Sequence, residues 1–161
     1  MTTNNVIRFL ESKKVPFKAF ELPNEKLGAS ETAAWLGIPL KEVFKTIVVV
    51  RDKPGKNILA VVPGTHEVDL KKIASVLGEK KVHLPTQKVA EQLTHLQAGG
   101  ISPLALLNKG FIVLLDQTAN EFDAIHISGG QRGLNIRIPV KNLVELTQAR
   151  IADIGSPGSP E

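Results

Sequence analysis

The sequence predicts an α+β (mixed α/β) domain, built on a curved, largely antiparallel, barrel-like sheet flanked by helices. Three observations point to it. Strand-like segments outnumber long helical ones, two junctions between strands read as hairpins, and the segment order is neither strict β-α alternation nor all-β. The 161 residues, 42% of them hydrophobic, suit one domain with its own core, placed at residues 1–154. The Gly-, Ser- and Pro-rich end, residues 155–161, is expected to be a disordered tail.

The elements follow in order. Val6, Ile7 and Leu10 have helical spacing within residues 3–14, and Pro16 forces an extended exit into a strand from Phe17 to Leu22. Ser30 is a candidate N-cap for a helix through Leu36 that Gly37 stops. Lys45 to Val50 is a strand whose Ile47-Val48-Val49-Val50 run predicts burial on both faces. The turn residues Asp52 to Asn57 join it to a hairpin partner, Ile58 to Val62, ended by Pro63-Gly64. Asp69 is placed to cap a helix from Leu70 to Leu77 that stops at Gly78. A short strand at Val82 to Leu84 precedes a helix capped by Thr86 and ending near His95. Phe111 to Leu115 is a buried strand, Ala124 to Ile127 and Leu134 to Ile138 flank a Gly-rich turn, and Pro139 begins a last helix through Leu146.

Composition removes several classes of function. Cysteine is absent, which excludes disulfides, thiolate metal sites and a protein thiol nucleophile. No segment approaches the roughly 20 apolar residues of a membrane helix, and the start of the chain lacks a signal-peptide core, so the expected location is cytoplasmic with no membrane partner. His66, His83, His95 and His126 lie far apart without metal-ligand spacing, so no metal is expected. The positive excess sits in residues 41–83, with nine Lys/Arg against five Asp/Glu. That patch is either a solvated face or an attraction for phosphates. Aromatic residues make up 4% of the chain with no Tyr, which argues against a dedicated base-stacking sheet and leaves contact with an RNA backbone open.

Two Gly-rich segments and one lysine remain as candidates for chemistry. In Gly99-Gly100-Ile101-Ser102-Pro103 the glycines open the backbone to close approach, so its amides either hold a carbonyl oxygen or simply connect two elements. Ser128-Gly129-Gly130-Gln131-Arg132-Gly133 is either a wide hairpin turn or a cradle in which Arg132 meets a phosphate. Lys45, between Phe44 and Thr46 at the mouth of a buried strand, either snorkels to solvent or binds a phosphate or aminoacyl group in a cleft.

Taken in order, Phe44-Lys45-Thr46, Gly99 to Leu104 and Ser128 to Leu134 resemble the YbaK/EbsC family. These proteins are free-standing relatives of the editing domain of bacterial prolyl-tRNA synthetases, and the likeness runs from about residue 4 to about residue 153. It implies a trans-editing aminoacyl-tRNA deacylase that acts on Cys-tRNA(Pro), with Cys-tRNA(Cys) a further substrate. Ala-tRNA(Pro), another small misacylated tRNA, or a non-catalytic tRNA- or synthetase-binding role are the alternatives. The family's lysine falls on Lys45 and its loop on Gly99, Gly100, Ile101 and Ser102, which become the catalytic candidates. Phe20, Thr46, Pro103, Ser128, Gly129, Gly130 and Arg132 become the substrate-binding candidates; members of the family place a Tyr in the strand where this chain reads Phe20-Glu21-Leu22. The resemblance implies no cofactor. Its partners would be aminoacyl-tRNA and a prolyl-tRNA synthetase, and the substrate's own thiol would attack the ester.

Overall fold

Short amphipathic segments with clear stops set the helices of the computed structural model, which describes residues 3–158. Helix α1 (Asn5–Ser12) is capped by Asn4, whose side chain accepts from the Ile7 amide, and it buries Val6, Ile7 and Leu10. Strand β1 (Lys18–Glu21) follows. Helix α2 (Ala29–Leu36) starts one residue before Ser30: its N-cap is Gly28, whose amide donates to Glu31 Oε1 at 3.1 Å. Gly37 ends it in the left-handed conformation. Strands β2 (Phe44–Arg51) and β3 (Asn57–Pro63) form the expected hairpin, and β4 (His66–Val68) leads to α3 (Leu70–Leu77), capped by Asp69 and stopped by Gly78. Then come β5 (Val82–His83), α4 (Gln87–Thr94), β6 (Phe111–Asp116), β7 (Ala124–Ser128), β8 (Leu134–Pro139), α5 (Val140–Thr147), β9 (Arg150–Ala152) and β10 (Gly155–Pro157).

The expected curved, barrel-like sheet does not form. The strands divide among three open sheets, ordered β5-β2-β3-β6-β9, β1-β8-β7 and β4-β10. Only the first is mixed: β3 pairs β6, and β6 pairs β9, in parallel. The physical reason lies in the connections. Between β3 and β6 the chain runs through β4, α3, β5 at the far edge of the same sheet, and α4, and a long crossover of this kind returns β6 parallel to β3. Between the two larger sheets the ladder makes only an isolated bridge, Val43 to His126, among the described residues, so closure is not reached.

The end of the chain differs from expectation as well. Residues 155–157 pair antiparallel with β4, Ser156 opposite Glu67, and the Gly158 amide donates to the Thr65 carbonyl at 2.9 Å. Asp69 accepts from the Ser156 hydroxyl at 2.7 Å, and Lys72 donates to the Gly155 carbonyl at 2.8 Å. These bonds order a segment whose composition alone reads as a tail. The remainder of that expectation, residues 159–161, lies outside the described residues.

Period-2 alternation gives the central sheet two dry faces. Phe44 and Val48 of β2, with Leu59 and Val61 of β3, meet the β1-β8-β7 sheet, α1 and α5 in one core. Val49, Ile58, Ala60 and Val62 face the other way against Ile73 and Ala74 of α3. Strand β3 is therefore apolar on both sides, and from Ile58 to Val62 it is fully buried. Burial of this kind fixes β2 rigidly, and β2 carries Lys45.

Candidate active site

A cleft of about 400 Å³ opens along one edge of β2. That edge is available because β5 pairs with β2 only at Val50 and Arg51, while β3 occupies the other side from Phe44 to Val49. Val43 through Val48 line the cleft in unbroken sequence, which is what an edge-on strand presents: alternate backbone groups as well as side chains. The facing walls come from residues 25–29 and Thr32, from Leu84, Pro85 and Gln87, from Ala98, Gly99 and Ile101, and from Ser128 with Gly133 to Asn135. Its size falls in the range of small-ligand sites, which is about 300–1,000 Å³.

The two Gly-rich segments build one wall by packing backbone to backbone. A Cβ on Gly100 would stand 2.9 Å from the Arg132 nitrogen and from Gln131 Cα and C. Arg132 completes the join: its Nε donates to the Ala98 carbonyl at 2.7 Å. Gly99 has φ +90°, a conformation that L side chains rarely adopt, and is exposed at the cleft. Ala98 is held from the other side, its amide donating to Glu91 Oε2 at 2.7 Å. The loop is thus anchored at its start and backed by a second loop.

Lys45, Thr46, Gly99, Ile101 and Ser128 line the same cleft. The other candidates do not. Ser102 is fully buried, and its hydroxyl accepts from the Leu104 amide at 3.2 Å, capping the 3-10 turn Pro103–Ala105 that Pro103 begins. Gly100 is covered by the second loop, Gly129 returns a backbone bond to Leu134, and Gly130 and Pro103 face a separate, wider cleft beside α1. Arg132 is turned to Ala98. Phe20 stacks obliquely on His126, ring centroids 5.5 Å apart, and lies opposite Asn135, so it supports the wall from behind.

Sequence reasoning missed Lys26, Thr32, Leu84, Gln87 and Asn135, all of which line the cleft. No motif marks them, because they converge from four separate segments. Lys26 lies against Gly99 and donates to Gln87 Oε1 at 2.8 Å, bridging two walls. Asn135 bonds to His126 Nδ1 at 2.8 Å.

Two further features define the chemistry. Lys45 Nζ stands 3.0 Å from Glu67 Oε1 of β4, an ion pair with the lysine a quarter and the glutamate two-thirds exposed. Thr46 lines the cleft, but its Oγ1 is buried beneath the wall and has no hydrogen-bond partner. None of the lining residues is His or Cys. A nucleophile paired with an imidazole base is therefore not assembled here, and the wall offers instead amides and an ammonium. Behind it, burial holds the His126 imidazole below its ordinary titration range, only partly opposed by the Asn135 bond. Among the described residues, no group of three His, Cys, Asp or Glu comes together as a metal site, and no helix is long and apolar enough to cross a membrane.

Known proteins resemble this chain in sequence and fold. The family model for the aminoacyl-tRNA editing domain matches residues 24–146, a span that holds every cleft residue named above. A protein of Enterococcus faecalis named "Putative Cys-tRNA(Pro)/Cys-tRNA(Cys) deacylase EbsC" is 38% identical over 152 residues, 93% of this chain and 92% of its own. A proline–tRNA ligase of Staphylococcus aureus is 27% identical over 121 residues, which is 75% of this chain and 20% of the ligase. The chain thus spans about a fifth of that enzyme. The crystal structure of "a putative trans-editing enzyme for prolyl tRNA synthetase" superposes with a TM-score of 0.80 at 26% identity, over 96% of this chain and 99% of the other. A hypothetical protein at 22% identity shares the fold at TM-score 0.86, over 95% of this chain and all of its own. The resemblance read from the three motifs is borne out: the chain belongs to the YbaK/EbsC family of aminoacyl-tRNA editing domains.

Proposed function

We propose that the protein is a trans-editing deacylase that releases cysteine from Cys-tRNA(Pro) and Cys-tRNA(Cys). The observation that carries this reading is the meeting of Lys45 and the Gly99–Ile101 loop across one cleft of about 400 Å³, open at the protein surface. The relative that is 38% identical bears this activity in its name, and a solved neighbour is described as a trans-editing enzyme for prolyl tRNA synthetase.

The geometry suits an activated ester. An aminoacyl ester needs no strong protein nucleophile; it needs to be held, and its carbonyl oxygen needs donors as charge develops there. The amides of Gly99 and Ile101, which line the cleft, supply the donors, while the Gly100 amide is engaged by the Gln97 carbonyl at 2.8 Å. Lys45 supplies a cation for the phosphate of the terminal adenosine, exchanging Glu67 for the incoming anion. The family resemblance implies attack by the substrate's own cysteine thiol, and the absence of Cys from the chain is compatible with it: a C–S bond forms as the ester C–O bond breaks, the thiol proton passes to the leaving tRNA oxygen, and water then opens the thiolactone to cysteine. Cytoplasmic tRNA is the substrate pool, and a prolyl-tRNA synthetase that releases mischarged product is the natural neighbour.

Incubation of Cys-, Ala-, Ser- and Pro-charged tRNAs with the wild-type protein and with Lys45→Ala tests the reading. Rapid loss of cysteine from tRNA(Pro), and a fall of at least tenfold in the variant, is the expected result. Release of none of the four amino acids, or full activity in Lys45→Ala, overturns it.

A further inference from the structure

Five large apolar side chains are exposed among the described residues: Trp35, Leu84, Val89, Leu93 and Ile151. Single exposed apolar residues are normal, so what matters is which segments carry them. Four of these five belong to segments that build the cleft. Leu84 lines it directly. Val89 and Leu93 lie one turn apart on α4, whose Gln87 and Ala90 line it. Trp35 lies one turn beyond Thr32 on α2, whose Ala29 and Thr32 line it.

Trp35 is the most exposed of them, at 63%. It adds nothing to either core. A helical side chain leans toward the N-terminus of its helix, so the indole covers the turn that contains Thr32, at the side of the cleft. The same segments carry exposed lysines: Lys26 in the cleft wall, bonded to Gln87, and Lys88 on α4. Apolar faces interleaved with cations are what an unpaired polynucleotide requires, since bases stack on the former and phosphates meet the latter. A duplex presents no free base faces and gains little from an indole.

We infer that Trp35, with Leu84 and Leu93, seats the unpaired nucleobases that precede the aminoacyl adenosine at the 3′ end of the RNA. The inference rests on the deacylase reading for the direction in which the RNA enters, but not for its test. The cleft takes the last nucleoside and its amino acid; the rim takes the bases before it, with Trp35 as the stacking platform. Discrimination of a full tRNA end from a free aminoacyl nucleoside then resides outside the cleft.

The chain has one Trp and no Tyr, so its intrinsic fluorescence reports Trp35 alone. Titration with an uncharged RNA hairpin ending in a four-nucleotide 3′ overhang is compared with titration by the same hairpin cut blunt. The expected result is quenching by the tailed RNA only. Trp35→Ala should weaken tailed-RNA binding about tenfold, as read by anisotropy of a labelled RNA, and Trp35→Phe should restore most of it. On charged substrate the Trp35→Ala loss should appear in KM rather than in kcat. Circular dichroism of the variants controls for folding. Equal affinity for tailed and blunt RNA, or unchanged tailed-RNA affinity in Trp35→Ala, overturns the inference. So does an indole signal that responds to an added synthetase but not to RNA. Because the binding arms use uncharged RNA, failure of the wild-type protein to release any amino acid would count against the deacylase reading separately.

Discussion

Replacing Gly100 by Ala tests how the cleft wall is built. The glycine has no positive φ to protect, so the substitution is purely a question of space. The added methyl would sit 2.9 Å from three atoms, Arg132 N and Gln131 Cα and C, and all three are main-chain atoms that no rotamer change can move aside. Ordinary contact begins at 3.4 Å, so the two loops must separate by about 0.5 Å. Over-packing of this order costs about 1–3 kcal/mol. With a urea m-value of ~2 kcal/mol/M, the unfolding midpoint falls by about 1 M. The same displacement carries Gly99 away from the substrate carbonyl, and since a 1 Å error can cost about a hundredfold, the deacylation rate should drop about tenfold. Urea titration and release of labelled cysteine from charged tRNA measure the two effects. Gly78→Ala is the control: φ is +68° and nothing lies within 4 Å, so it costs about 1 kcal/mol of backbone strain at the end of α3 without touching the wall. An unchanged midpoint and an unchanged rate in Gly100→Ala would refute the packing of the two loops on each other.

Other outcomes follow from the same geometry. Glu67→Gln frees the Lys45 ammonium and removes a charge that repels phosphate, so KM for charged tRNA should fall two- to threefold at low salt, with stability changed by less than about 0.5 kcal/mol; a raised KM would contradict this. Ser102→Ala removes a cap inside a buried turn and should lower stability by about 1 kcal/mol while reducing the deacylation rate less than threefold, as seen by parallel melts and assays. His126 titrates below its ordinary value near 6.5 because burial disfavours the imidazolium. As pH falls below 6.5 the unfolded chain binds the proton first, so stability declines toward the lower folded value; His126→Gln should flatten that part of a stability–pH profile.

Much of the local structure is legible in the residues. Asp69 and Gly78 bracket α3 at the positions where a cap and a left-handed stop are needed, and Thr86 does the same for α4. The β2–β3 and β7–β8 hairpins follow from apolar runs separated by turn residues. What stays hidden is what depends on distance along the chain. Strands β4, β9 and β10 are three residues long and owe their conformation to ladders with remote partners, which no local period announces. The parallel placement of β6 depends on the path of some fifty intervening residues, and so the strand pattern alone reads as one curved surface where the chain forms three sheets. The site divides in the same way. Lys45 and Gly99 are visible because an unusual residue interrupts a pattern, whereas Lys26, Gln87 and Asn135 are ordinary polar residues that matter only by convergence. Ser102 and Arg132 look chemical in the sequence and prove to be engaged in holding the loops.

The unpaired margin of β2 has a consequence for how selectivity can drift. Peptide groups along Phe44 to Val49 and at Gly99 are the same whatever side chains those positions bear, provided the strand and the loop keep their paths. Recognition of the invariant parts of a ligand can therefore persist through extensive sequence change. Thr32 and Asn135, standing around that constant frame, are the places where one exchange could alter which amino acid is admitted while leaving the machinery for release intact.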